Sequence, residues 1–192
     1  MAVRTLFPTH FYEAALDDDA LLAELEESCR TLAQEDRAGR AWSREHGYRG
    51  YTSYASLNDL PQRDPAFDDL RRRLDRHVAA FLREAGLTAD RRLRLDSMWV
   101  NVMKPGGAHS GHLHPYSAVS GTIYIAVPPG SGALRLEDPR LAMLMAAPQR
   151  DGSFVYAEPR PGSVFLWESW LRHEVMANAA KADRVSVSFN YR

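Results

Sequence analysis

The residues best suited to chemistry are crowded into one stretch, His109-Ser-Gly-His112-Leu-His114-Pro115, which follows the turn-forming Pro105-Gly106-Gly107 and precedes a strand-like run. Three of the chain's seven histidines lie there. A neutral imidazole binds borderline divalent metals near neutral pH, so this cluster is first of all a candidate metal site. In an extended strand, residues two apart project to one side, which lets His112 and His114 converge while Leu113 points away. Downstream, His173 opens another strand-like segment, and Arg184 opens the last one. A guanidinium fork suits a carboxylate ligand. A plainer reading stays open for each: solvated histidines beside a turn, and a surface ion pair at Arg184.

These groups need a scaffold, and the composition bounds it. A chain of 192 residues with 45% hydrophobic content can bury one sizeable core, so a single domain over 1–192 is expected. The net charge of -1 gives no excess for a polyanion. Arg71-Arg72-Arg73 is balanced by Asp68, Asp69 and Asp75 on one expected helix, which reads as a solvated face and argues against nucleic acid as a partner. The single cysteine, Cys29, excludes an intramolecular disulfide and a cysteine-based zinc cage, and its spacing from Leu22, Leu25 and Leu32 suits core packing. The N-terminus shows no long apolar stretch of a signal peptide, and no run approaches the ~20 apolar residues of a membrane span. A cytoplasmic protein is the expectation.

Residues 1–16 read as an opening strand around Phe7–His10, with His10 a polar edge residue. Leu21, Leu25, Cys29 and Leu32 recur at helical intervals behind a cluster of aspartates, predicting a first helix over about Asp18–Asp36. Residues 39–62 are aromatic and aperiodic and read as a long ordered loop, whose Trp42, Tyr48, Tyr51 and Tyr54 either face substrate or pack over the core. Asp64-Pro65 supplies an N-cap and a proline at the first helical position. Phe67, Leu70, Leu74, Val78, Phe81 and Ala85 then mark a second helix to Gly86, with His77 in a structural role.

After Gly86 the hydrophobic period falls to two. Strands are predicted at about Arg92–Met103, Ser120–Val127, Ala133–Glu137, Ser153–Ala157, Ser163–Trp167, His173–Ala177 and Arg184–Tyr191. Leu141–Ala147, rich in Met and Ala, reads as a short helix or a hydrophobic lid. So many short strands with few intervening helices predict a mainly β fold, and a double-sheet jelly roll fits. The final strand sets Val185, Val187, Phe189 and Tyr191 on one face and Arg184, Ser186, Ser188 and Asn190 on the other. If the two helices cover the apolar face, the polar face lines the interior.

The order Asn101-x-x-x-Pro-Gly-Gly, His112-x-His114, Ser-Gly-Thr-Ile-Tyr124, Gly132-Ala-Leu134, Pro161-Gly162-Ser-Val-Phe-Leu-Trp, His173-Glu-Val and Arg184-Val-Ser186 resembles the Fe(II)- and 2-oxoglutarate-dependent oxygenases. The likeness is in particular to a group of them with little assigned chemistry. It covers about residues 97–192, while the N-terminal part resembles that group's helical cover. The resemblance implies a double-stranded β-helix core, jelly-roll and cupin-like, over 91–192, with helices and the aromatic loop over 1–90 as its cover. It implies His112 and His173 as metal ligands, Arg184 and Ser186 as the partners of 2-oxoglutarate's far carboxylate, and Asn101 and Tyr124 as further cosubstrate contacts. At the third ligand position the family's usual carboxylate is replaced by His114. Glu137 or Asp138 is the alternative third ligand, and His109 is a neighbour of the metal or of the substrate.

The expected function is therefore an Fe(II), 2-oxoglutarate-dependent dioxygenase that hydroxylates a small organic substrate with dioxygen. A three-histidine, cupin-like dioxygenase that does without 2-oxoglutarate is one alternative. A non-catalytic metal- or ligand-binding barrel is another. The substrate, the native metal and the oligomeric state, for which a homodimer is one option, are open at this level.

Overall fold

The computed structural model describes residues 2–140 and 152–192. A short strand β1 (Phe11–Ala15) leads to helix α1 (Asp19–Glu35), whose N-cap Asp18 accepts a hydrogen bond from the Leu21 amide at 3.0 Å. Helix α4 (Pro65–Glu84) starts as its sequence predicts: Pro65 is the first helical residue, and Asp64 accepts from the Ala66 amide at 2.8 Å. The predicted stripes are buried at Leu21, Leu25 and Cys29 on α1 and at Phe67, Leu70, Leu74, Val78 and Phe81 on α4, while Leu32 and Ala85 at their ends are half-buried. Burial pushes the Cys29 thiol up and keeps it protonated. The charges of α4 pair with one another, Arg71 with Asp68 and Asp75, and Arg73 with Asp69, as the solvated face requires.

Residues 39–62 are more regular than a long loop. They hold most of helix α2 (Arg37–Glu45), strand β2 (Gly50–Thr52) and the single-turn helix α3 (Leu60–Arg63). The organising group is Asp36, which caps α2 through the Gly39 amide at 3.0 Å and accepts from the Tyr51 and Ser56 hydroxyls. Partial burial alone would raise the Asp36 carboxyl, but these hydrogen bonds outweigh it and hold the group below the usual carboxylate range. Gly50 sits at φ 147 against the carbonyl of Val102, where a Cβ would collide with backbone.

The remaining strands are β3 (Leu95–Met103), β4 (His109–His112), β5 (Val119–Ala126), β6 (Leu134–Glu137), β7 (Phe154–Ala157), β8 (Ser163–Glu168), β9 (His173–Val175) and β10 (Arg184–Tyr191). They form a six-stranded sheet in the order β1-β8-β5-β10-β3-β2 and a four-stranded sheet in the order β4-β9-β6-β7, with every pairing antiparallel. This is a double-stranded β-helix. Predicted Leu141–Ala147 lies outside the described residues.

Alternation on the large sheet separates two cores. Met98, Val100, Val102, Ile123, Val164, Leu166, Val185, Val187 and Phe189 pack with the buried faces of α1 and α4. The opposite face contributes Tyr124, Phe165 and Trp167, which pack with Leu134 and Leu136 of the small sheet. The polar side of β10 therefore faces the interior between the sheets, as its pattern predicts.

Asn178, fully buried, ties the loop before β10 to the end of β3. Its side-chain amide donates to the carbonyls of Met103 and Ala182 and accepts from the Ala180 amide. Asn178→Ala would leave these buried backbone groups without partners, at a cost of about 3 kcal/mol. Urea denaturation is expected to show a correspondingly lower midpoint with an unchanged slope.

Candidate active site

Strand β4 places His112 directly opposite His173 of β9, so the two histidines are cross-strand neighbours with ring centroids 4.3 Å apart. His114 joins them differently from the strand alternation expected of His-x-His. β4 ends at His112, and the chain beyond it is held by the His114 amide donating to the Ser169 carbonyl at 3.0 Å. Leu113 turns outward, 48% exposed, while His114 comes to 5.1 Å from both the His112 and the His173 rings. One nitrogen of each of the three residues lies within 4.8 Å of the others.

The surroundings prepare these nitrogens as ligands. Nδ1 of His112 lies 2.8 Å from the Ser110 carbonyl, and Nδ1 of His173 lies 2.9 Å from the Leu171 carbonyl. A carbonyl only accepts, so each Nδ1 carries the proton and each Nε2 presents a lone pair. Nε2 of His114 is buried and has no hydrogen-bond partner. Burial first, and then the neighbouring imidazoles, push His114 down to about 4 and His173 down to about 3; burial also lowers His112. The three rings are neutral near pH 7, which is the ligating form. Neutral imidazoles, that of His173 buried and those of His112 and His114 half-buried, around an orphaned nitrogen suit a divalent metal.

Glu137 and Asp138 are engaged elsewhere. Glu137 accepts from Arg172 at 3.1 Å, and Asp138 pairs with Arg140 at 2.8 Å. Neither joins the histidine group. His109 does come close, its ring 4.2 Å from that of His112 and edge-on to Tyr48. His10 and His77 lie apart from it; His77 takes a hydrogen bond with the Tyr12 hydroxyl at 3.1 Å.

From the histidines a narrow slot of about 40 Å³ runs between the sheets, lined by Asn101, Tyr124, Arg184, Ser186 and Ser188 among others. Arg184 is 2% exposed. One of its terminal nitrogens donates to the Gly132 carbonyl at 2.9 Å and the other to the weakly accepting Sδ of Met103 at 3.0 Å, while Nε is without a partner. Among the described residues no carboxylate pairs with it. The Tyr124 ring lies 5.8 Å from the guanidinium carbon, and burial pushes its phenol up to about 12. The Asn101 amide donates to Ser188 at 3.1 Å and accepts from Tyr48 at 3.4 Å. A buried cation without a counter-ion is costly, so the slot suits an anion, and a carboxylate matches the fork.

Two slot residues, Trp99 and Met103, escaped the sequence reading, and a third, Tyr48, stood there only among the aromatics that either face substrate or pack over the core. Trp99 and Met103 flank Asn101 at two-residue spacing on β3, so the alternation that exposes Asn101 to the interior exposes them too. Tyr48 arrives from the segment between α2 and β2, and nothing local in the sequence distinguishes it from its neighbouring aromatics.

Fold and site together bring three neutral histidines and a buried guanidinium without a carboxylate partner among the described residues into one slot of a double-stranded β-helix. Residues 97–190, just under half of the chain, match the family described as "Putative 2OG-Fe(II) oxygenase", a family of the 2-oxoglutarate/Fe(II)-dependent oxygenases, which are enzymes. Similar solved structures include a prolyl-4-hydroxylase from Pseudomonas putida, 20% identical with a TM-score of 0.67 over 96% of this chain and 93% of that one. HygX from Streptomyces hygroscopicus, with nickel and 2-oxoglutarate bound, is 17% identical with a TM-score of 0.65 over 95% and 82%. The carbocyclase SnoK from nogalamycin biosynthesis is 15% identical with a TM-score of 0.67 over 95% and 79%. At such identities the likeness shows the shared fold. No curated protein matches the chain by sequence. Among the described residues no helix is long and apolar enough to cross a membrane.

Proposed function

We propose that this protein is a non-haem Fe(II), 2-oxoglutarate-dependent oxygenase that hydroxylates a small organic molecule. The observation that carries the reading is Arg184, a buried guanidinium with no carboxylate partner among the described residues, in the same slot as the three histidines. His112, His114 and His173 would hold the metal through neutral nitrogens, and Arg184 would bind the far carboxylate of 2-oxoglutarate. Iron and 2-oxoglutarate, when bound, supply the activation of dioxygen, with succinate and carbon dioxide as coproducts.

The chain's own contribution is placement and exclusion of water. The carbonyls of Ser110 and Leu171 fix the tautomers of His112 and His173, so that no proton has to leave either Nε2 before a metal binds. Ser186 lines the slot with Arg184 and offers a hydroxyl to the same carboxylate. Asn101 and Tyr124 line the same slot and are proposed as further cosubstrate contacts. The slot's small volume keeps bulk water from the guanidinium and strengthens its hold on an anion.

The all-histidine ligand set favours one competing reading, a three-histidine dioxygenase that binds its substrate on the metal and needs no cosubstrate. Anaerobic titration of the Fe(II)-loaded protein with 2-oxoglutarate separates the two. A saturable visible charge-transfer band is expected from a chelating keto acid. No band, with metal retained, would reject the proposal; oxygen consumption without 2-oxoglutarate would then support the competing reading, and no metal-dependent oxygen consumption would leave a binding barrel.

A further inference from the structure

The outward side of the histidine cluster opens into a second, wider cleft of about 480 Å³, a volume typical of sites for drug-sized ligands. One wall is a run of aromatic rings. Trp42 of α2 lies 6.2 Å from Tyr54, Tyr54 lies edge-on 5.4 Å from Trp99, and Trp99 stacks at 5.7 Å on His114. The rings follow one another from the surface to the metal position and do not converge on a point, so they form a wall and not a cage for an ammonium group. Tyr116 and Leu113 supply exposed apolar surface at the same cleft.

Charged side chains are missing from this cleft. None of the described residues that line it is Asp, Glu, Lys or Arg. Its two side-chain amides are already committed: Asn101 to Ser188, and Asn190 to Ser120 and Ser97. A charged substrate would lose its hydration there without gaining a side-chain partner, whereas a flat apolar ring gains contact area against rings it meets face-on and edge-on.

We infer that the substrate is an uncharged, planar ring compound, aromatic or quinone-like, that lies along the Trp42–Tyr54–Trp99 wall with one edge at His114. The inference rests on the oxygenase reading for its meaning, but the binding it describes is measured separately. Tyr54 is 59% exposed and Trp42 is partly exposed, so both can be removed without opening the core.

The probe is 7-methoxycoumarin, titrated into the full chain loaded with Mn(II) and 2-oxoglutarate under nitrogen and followed by quenching of tryptophan fluorescence and by probe anisotropy. Saturable binding is expected, at least tenfold tighter than that of 7-methoxycoumarin-3-carboxylate or of a trimethylammonium-bearing coumarin. Trp42→Ala and Tyr54→Ala should each weaken binding of the neutral probe by tenfold or more, with Trp42→Phe and Tyr54→Phe within threefold of the parent. Absence of saturable binding, equal or tighter binding of either charged analogue, or unchanged binding in both alanine variants would overturn the inference. Retained coumarin selectivity in a protein that fails to bind 2-oxoglutarate would sink the oxygenase reading alone. Normal 2-oxoglutarate binding with no preference for the neutral probe would sink the substrate class alone.

Discussion

His173→Ala is expected to abolish metal retention. His173 is the most buried of the three histidines, 4% exposed, and its ring neighbours both His112 at 4.3 Å and His114 at 5.1 Å. Loss of an outer-shell partner alone typically costs ~10–100-fold in metal affinity, so loss of a ligand should cost more than ~100-fold. The check is metal content after dialysis, together with Mn(II) titration of the folded variant. His112→Ala should behave the same way, whereas His10→Ala and His77→Ala should keep the parent's metal content. His114 carries the sharper question. His114→Ala should lose metal as the others do, and His114→Asp should keep it, because a carboxylate there lowers the site's net charge by one. Parental metal content in His114→Ala would remove that residue from the ligand set and return Glu137 or Asp138 as the third ligand.

The same three histidines show what the sequence could and could not convey. Their types and order sufficed to nominate them, but the reason offered for the approach of His112 and His114, strand alternation, is not the one the fold uses. His114 lies past the end of β4 and is turned inward by the hydrogen bond its amide donates to the carbonyl of Ser169, a residue far away in sequence. The interior face of β10 was legible because period-two alternation is local, and the same rule applied to β3 would have found Trp99 and Met103 beside Asn101. The segment 39–62 was not legible. Its helix α2 has a polar, arginine-rich sequence without an apolar stripe, and it is fixed by Asp36, whose partners Tyr51 and Ser56 are tertiary neighbours. Capping chemistry at Asp64-Pro65, by contrast, is written within four residues and was read directly, and the aspartate cluster marked the start of α1.

Arg184→Ala is expected to weaken 2-oxoglutarate binding by about 30-fold or more. Truncating one member of a buried, hydrogen-bonded charge pair costs ~2–5 kcal/mol, and ~1.4 kcal/mol is a factor of ten. Calorimetric titration into the Mn(II)-loaded protein under nitrogen measures it. Metal content should stay at the parent's level, since Arg184 is no ligand, and Arg184→Lys should recover only part of the loss because an ammonium lacks the planar fork. Thermal stability gives an independent reading with the opposite sign. Without 2-oxoglutarate, Arg184 is a buried cation whose acceptors are one carbonyl and one thioether, and its Nε has none. Replacing such a charge with an apolar side chain of similar length removes a desolvation cost, so ligand-free Arg184→Met should melt at or above the parent's temperature. Added 2-oxoglutarate should raise the melting temperature of the Mn(II)-loaded parent and, at the same concentration, raise that of Arg184→Met far less. An Arg184→Met protein that is markedly less stable without ligand would mean that the guanidinium serves the fold through Gly132 and Met103. A dissociation constant for 2-oxoglutarate unchanged by Arg184→Ala would place the anion elsewhere and remove Arg184 from the cosubstrate site.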